Sequence, residues 1–263
     1  MITEKEQRSL IHFIYSREQP EGGFSFSQTT PPTLEDTYFA LRLLEELDES
    51  SISKSTVLYL TSLNPTYDDL PKHLYQLSTI YRVAHLQDYL KIIREIIVSN
   101  NNIIPSTIAD LYFLVFTKEL LHIPIITTRN EQQILTAAQK QSAKSMEEYT
   151  QFIIIMKKLH IFFQTKKYAD TIQKSQNHDG GFGLIPHSTS FLEPTFHALQ
   201  ALKELHAIPK DIEECKRFVS SCMTRIGGFG RQITTVPSLE YSYYAVISLK
   251  IIDAMKNRAD FFG

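Results

Sequence analysis

Three carboxyl side chains and five rings carry the chemistry that can be read from this sequence. Glu35 and Asp36 stand side by side, and Asp110 recurs at a matching place further on. A carboxylic acid protonates a substrate when its surroundings raise its pKa or stabilise the base it leaves. Tyr38, Tyr75, Tyr112, Phe196 and Tyr243 fall at one recurrent position. Aromatic faces stabilise cations and suit neutral alkyl chains. The expectation is acid chemistry at Glu35, Asp36 and Asp110 beside a ring-lined, substrate-binding apolar surface. Each set also has a structural reading. First-turn acids complement the helix dipole, and rings at helical spacing fill ordinary cores.

A repeat positions these residues. Gly22-Gly23-Phe24, Gly180-Gly181-Phe182 and Gly227-Gly228-Phe229 are each followed at constant offset by Glu35, Glu193 or Glu240 and then by the ring and Ala40, Ala198 or Ala245. Fixed offset means one structural unit reused. Worn copies around Tyr75, Tyr112 and Thr150 lack Gly-Gly-Phe but keep the period, so the ring position runs 38, 75, 112, 150, 196, 243. Each unit reads as a helical hairpin. The helix after each Glu is apolar at helical spacing on most sides (Leu34, Tyr38, Leu41, Leu44, Leu47; Leu192, Phe196, Leu199, Leu202, Leu205) and is expected to be buried. Its companions, over 3–17, 53–63, 86–99, 129–144, 161–176 and 212–225, carry a charged face. Six such hairpins predict an all-α, double-walled (α/α)6 toroid, with residues 1–263 as a single domain. Thr33, Ser190 and Ser238 are N-cap types ahead of the inner helices, and Thr33 with Asp36 and Ser190 with Glu193 have capping-box spacing.

Composition excludes some classes. A net charge of −2 supplies no field toward nucleic acid. Cys215 and Cys222, seven apart, read as buried thiols rather than zinc ligands. No apolar run reaches membrane-spanning length, and the charged start, Met1-Ile2-Thr3-Glu4-Lys5-Glu6, lacks the apolar stretch of a signal peptide, so a cytoplasmic protein is expected.

Gln176-Asn177-His178-Asp179-Gly180-Gly181-Phe182, followed by Leu192-Glu193-Pro194-Thr195-Phe196-His197-Ala198-Leu199, resembles the repeat of the terpenoid cyclase and protein prenyltransferase superfamily. The resemblance implies an α/α toroid with an aromatic-lined cavity for an isoprenoid. It also implies where catalytic groups would lie. The zinc ligands of protein prenyltransferases, Asp, Cys and His, fall on Ser238, Glu240 and Asp36, so none is kept and no zinc cofactor is expected. Magnesium enters only with a diphosphate substrate. Arg231 is the nearby basic residue, one place out of register for diphosphate binding. The Asp-x-Asp-Asp-Thr motif of class II terpene cyclases falls on Thr33-Leu34-Glu35-Asp36-Thr37, which puts Glu35 where the proton-donating Asp stands. The recurrence of Glu at 193 and 240 supports a cap role for it equally.

The position after the Glu differs between units: Asp36, His73, Asp110, Glu148, Pro194, Tyr241. It is either a row of first-turn dipole partners or a polar cluster that raises one carboxyl pKa or holds a divalent ion with a diphosphate. Asp68-Asp69 reads as a solvated loop pair. Three functions remain: an isoprenoid enzyme, a non-catalytic toroid binding a lipid or a protein partner, and an unrelated (α/α)6 glycosidase, which would need two inward carboxylates in a polar cleft. Apolar inner helices disfavour the last.

Overall fold

The structure, a computed structural model, describes residues 2–49, 51–66, 70–99, 105–125, 132–133, 135–136, 145–185 and 187–262, the last five by backbone alone. The Asp68-Asp69 pair and most of the helix expected over 129–144 lie outside these residues.

Helices dominate. They are α1 (Glu4–Tyr15), α2 (Leu34–Glu46), α3 (Lys54–Ser62), α4 (Pro71–Val83), α5 (Gln87–Ser99), α6 (Ile108–Leu120), α7 (Met146–Lys158), α8 (Thr165–Lys174), α9 (Leu192–Glu204), α10 (Ile212–Ser221) and α11 (Leu239–Phe262). The loop expected over 232–236 is bracketed by a two-residue antiparallel pair, β1 (Phe229–Gly230) with β2 (Pro237–Ser238).

Residue contacts group the chain into two compact units, 14–142 and 1–13 with 143–263. In the first, the inner helices α2, α4 and α6 pack in succession, with α5 against α4. In the second, α7 packs on α9 and α9 on α11, with α8 and α10 outside them. Sequence composition explains the layering. α2 buries Thr37, Tyr38, Phe39, Ala40, Leu41, Leu43 and Leu44, residues on most of its circumference, whereas α3 buries only Thr56 and Leu60. α9 and α10 repeat the contrast.

The six-unit register agrees with the helix starts. Thr33, Leu70, Thr107, Ser145, Phe191 and Ser238 each precede the first helical residue, and the ring position follows at Tyr38, Tyr75, Tyr112, Thr150, Phe196 and Tyr243. Thr33, Thr107 and Ser145 cap through their hydroxyls, and Thr107 with Asp110 closes a full capping box. Ser190 departs from expectation. Phe191 is the N-cap of α9, with no side-chain cap, and Ser190 Oγ donates to Asp179 Oδ1 at 2.7 Å. Asp179 also accepts the Gly181 N–H at 3.0 Å, so the loop's own Asp captures the hydroxyl.

The inner helices also end alike. Asp48, His85, His122, His160 and His206 have φ between 53° and 57°. The next N–H reaches back into the helix each time: Glu49 to Leu44 O (2.8 Å), Leu86 to Tyr81 O (2.8 Å), Ile123 to Lys118 O (2.8 Å), Ile161 to Met156 O (2.9 Å) and Ala207 to Leu202 O (2.9 Å). This is a Schellman ending, with Asp or His in the left-handed place that Gly usually holds.

Gly-Gly-Phe docks one hairpin on the next outer helix. At Gly180 (φ +85°) a Cβ would overlap the backbone of Glu214 in α10, and Gly22 and Gly227 face the backbones of Ser55 and Ser9 in the same way. The second glycine meets a ring one turn further along that helix: Tyr59, Phe218 or Phe13. Phe24, Phe182 and Phe229 are fully buried. Their N–H groups donate to Thr37 Oγ1 (3.0 Å), Thr195 Oγ1 (2.9 Å) and Ser242 Oγ (2.9 Å) in the following inner helix.

Candidate functional site

In the unit 14–142, α2, α4 and α6 bring three of the expected rings into one aromatic run. Tyr38 lies 6.2 Å from Tyr75, Tyr75 lies 5.6 Å from Phe113 and 6.1 Å from Phe116, and Phe116 lies 4.6 Å from Tyr112, all between ring centroids. Tyr75 and Tyr112 keep part of their surface open although Leu74 and Leu111 beside them are buried. A cleft of about 330 Å³ in this unit lies elsewhere, at the C-terminal ends of α2 and α4 beside Leu44, Arg82 and His85.

The three expected acids behave differently. Glu35 is half exposed and pairs with Lys72 at 2.7 Å. Asp36 accepts from Thr33 Oγ1 at 2.8 Å, and its pKa is raised: burial, with Glu35 beside it, outweighs the Thr33 and Phe26 hydrogen bonds and the Arg17 charge. Asp110 is partly buried, which alone would raise its pKa. Hydrogen bonds from Ser106 and Thr107 outweigh that and leave it lowered. His73 is exposed.

In the other unit, Phe196 lies 6.1 Å from Tyr243 and stacks on Tyr244 at 4.4 Å. Thr150 replaces the ring in α7 and donates to the His197 carbonyl at 2.8 Å, joining α7 to α9. The Arg231 guanidinium sits 3.8 Å from the centre of the Phe191 ring.

A polar belt runs beside these rings. The second helical residue is Glu147 in α7, Glu193 in α9 and Glu240 in α11, and four residues on, one turn along the same face, stand Gln151, His197 and Tyr244. Gln151 Nε2 donates to Glu147 Oε1 at 2.9 Å, and Tyr244 OH donates to Glu240 Oε1 at 2.9 Å. Ligand-type atoms of Glu147, Glu193 and His197 lie within 4.8 Å of one another. Burial drives the His197 imidazole down to about 3, so it is neutral, and its Nδ1 is closed to solvent with no hydrogen-bond partner. Burial also raises the Tyr244 phenol, as do the charges of Glu240, Glu193 and Glu147 around it.

Comparing only the residue after each Glu missed this belt. Its signal was present as Glu-x-x-x-Gln, Glu-x-x-x-His and Glu-x-x-x-Tyr in three successive units. The matching position reads Phe39, Gln76 and Phe113 in the earlier ones.

A family model described as the prenyltransferase alpha-alpha toroid domain matches residues 1–67, 125–207 and 195–261, together more than half of the chain. Among solved structures the chain is similar to Candida albicans protein geranylgeranyltransferase-I complexed with GGPP, at 17% identity and a TM-score of 0.42, over 97% of this chain and 80% of that one. A search of curated proteins finds no match.

Proposed function

Because the chain belongs to the prenyltransferase alpha-alpha toroid domain family, we propose that it binds an isoprenoid against the rings of its inner helices. The observation that carries this reading is the aromatic run from Tyr38 through Tyr75 to Phe116 and Tyr112. A neutral, branched alkyl chain laid along it gains burial at about 25 cal/mol per Å² of apolar surface and needs no polar partner. In the other unit Tyr243 keeps part of its surface open, while Phe196 beside it is buried.

Of the three carboxyls, Asp36 is the one suited to donate a proton, since burial raises its pKa. Glu35 is engaged with Lys72 in solvent, and Asp110 is held ionised in its capping box. These placements favour binding without turnover as the second reading, and a protein partner for the loaded chain belongs with it.

The test is native mass spectrometry of the purified protein for a co-purified lipid. Quenching of its tyrosine fluorescence by farnesyl and geranylgeranyl diphosphate, with the free alcohols alongside, extends it. Tyr75→Ala is expected to weaken binding at least about tenfold, by loss of roughly 1.4 kcal/mol. Absence of both lipid and titratable binding overturns the reading. Turnover abolished by Asp36→Asn assigns the acid, whereas binding without turnover supports the second reading.

A further inference from the structure

The second residue of the inner helices is Glu35, Lys72, Ala109, Glu147, Glu193 and Glu240 in succession. Where two of these are opposite in charge they pair directly, as Lys72 does with Glu35 at 2.7 Å. In α7, α9 and α11 all three are Glu, and ligand-type atoms of the first two lie within 4.8 Å of one another and of the His197 imidazole.

We infer that Glu147, Glu193 and His197 form a binding site for a first-row divalent metal ion of the zinc or manganese type. Three donors from two helices, two carboxylates and one imidazole, lie within 4.8 Å of one another, a spacing that a modest inward turn of the carboxylate side chains brings to metal–ligand bonds of about 2.0–2.2 Å on a single ion. Glu193 and His197 sit one turn apart on one face of α9, and Glu147 enters from α7, which packs against it. The independent observation is His197: its Nδ1 is shut off from solvent and has no hydrogen-bond partner. Gln151, donating to Glu147 at 2.9 Å, is placed to orient that carboxylate in the way outer partners fix metal ligands. An imidazole with carboxylates selects zinc, manganese or iron over magnesium, and three protein donors leave coordination positions for water or an anionic group. This ligand set differs from the one the family resemblance looks for at Ser238, Glu240 and Asp36. It stands whether or not an isoprenoid binds.

The experiment is titration of chelator-treated, desalted full-length protein with Zn²⁺ alone, read by calorimetry and elemental analysis and repeated in excess Mg²⁺. The expected result is about one equivalent bound, not displaced by Mg²⁺, with a raised melting temperature. Glu193→Gln, isosteric and partly exposed, is expected to weaken binding at least about tenfold, and Gln151→Leu by a comparable factor. Lys72→Ala is expected to leave it unchanged. His197→Gln is expected to lose it; should that variant not fold, Glu193→Gln decides alone. Co²⁺ substitution is expected to give no thiolate charge-transfer band. Absence of stoichiometric binding, equal affinity in Glu193→Gln, or a thiolate band pointing to Cys215 and Cys222 overturns the assignment.

Discussion

The backbone N–H of Phe24 donates to Thr37 Oγ1 at 3.0 Å, and both groups are sealed from water. The same bond recurs from Phe182 to Thr195 and from Phe229 to Ser242. The worn units carry Leu74, Leu111 and Tyr149 at the hydroxyl position, so the bond and the Gly-Gly-Phe turn are lost together. Thr37→Val keeps the shape but orphans a buried donor. It is expected to cost about 1–3 kcal/mol in urea denaturation, while Thr37→Ser, the natural state at Ser242, costs less.

Gly180→Ala combines two penalties. The residue sits at φ +85°, and the new methyl would overlap the Glu214 backbone, which has no flexible end to yield. A loss above about 2 kcal/mol is expected in the same measurement. Loosening of α10 should follow, read as faster amide exchange in its residues.

His122 is exposed and occupies a left-handed C-terminal position at φ 54°. Replacing it by Gly relieves a strain of about 1–2 kcal/mol and returns part of that as entropy of the unfolded chain. His122→Gly is therefore expected to stabilise by roughly 0.5–1 kcal/mol, seen as a raised midpoint of denaturation.

Asp110 and Asp36 should give opposite pH dependences. The folded pKa of Asp110 is lowered, so its contribution is present above the ordinary carboxylate range and is lost as pH falls through the folded value. That of Asp36 is raised, so its contribution is present in acid and is lost as pH rises through the folded value. Asp110→Asn should cost more stability at neutral pH than at about pH 3, and Asp36→Asn more at about pH 3 than at neutral pH. Paired denaturation curves of the two variants check this. Parallel behaviour would contradict the burial argument for Asp36.

The all-α toroid class was legible because the repeat is written in residue types with few alternatives. Gly-Gly before a buried Phe and Leu at helical spacing leave little freedom. Even the worn units announced their helix starts, since Tyr75, Tyr112 and Thr150 keep their distance from Leu70, Thr107 and Ser145. Local competition was less legible. Ser190 has the type of a cap, but Asp179 holds its hydroxyl. The His series at 85, 122, 160 and 206 went unread because His is a secondary choice for positive φ, behind Gly and Asn. The spacing Glu193-x-x-x-His197 was written in the sequence, but its meeting with Glu147 needed the packing of α7 on α9.

Five inner helices, α2, α4, α6, α7 and α9, are each 13 residues long, although the step from one to the next grows from 37 residues to 46 along the chain. In these five the inner helix is a gauge of constant length, and the variation in step lies on the return path between gauges; α11, the last inner helix, runs on to 24 residues. Extra sequence, whether grafted by design or acquired by drift, has room on that return path. A single residue added within a gauge would instead rotate every side chain beyond it by about 100° and break its alignment with both neighbours.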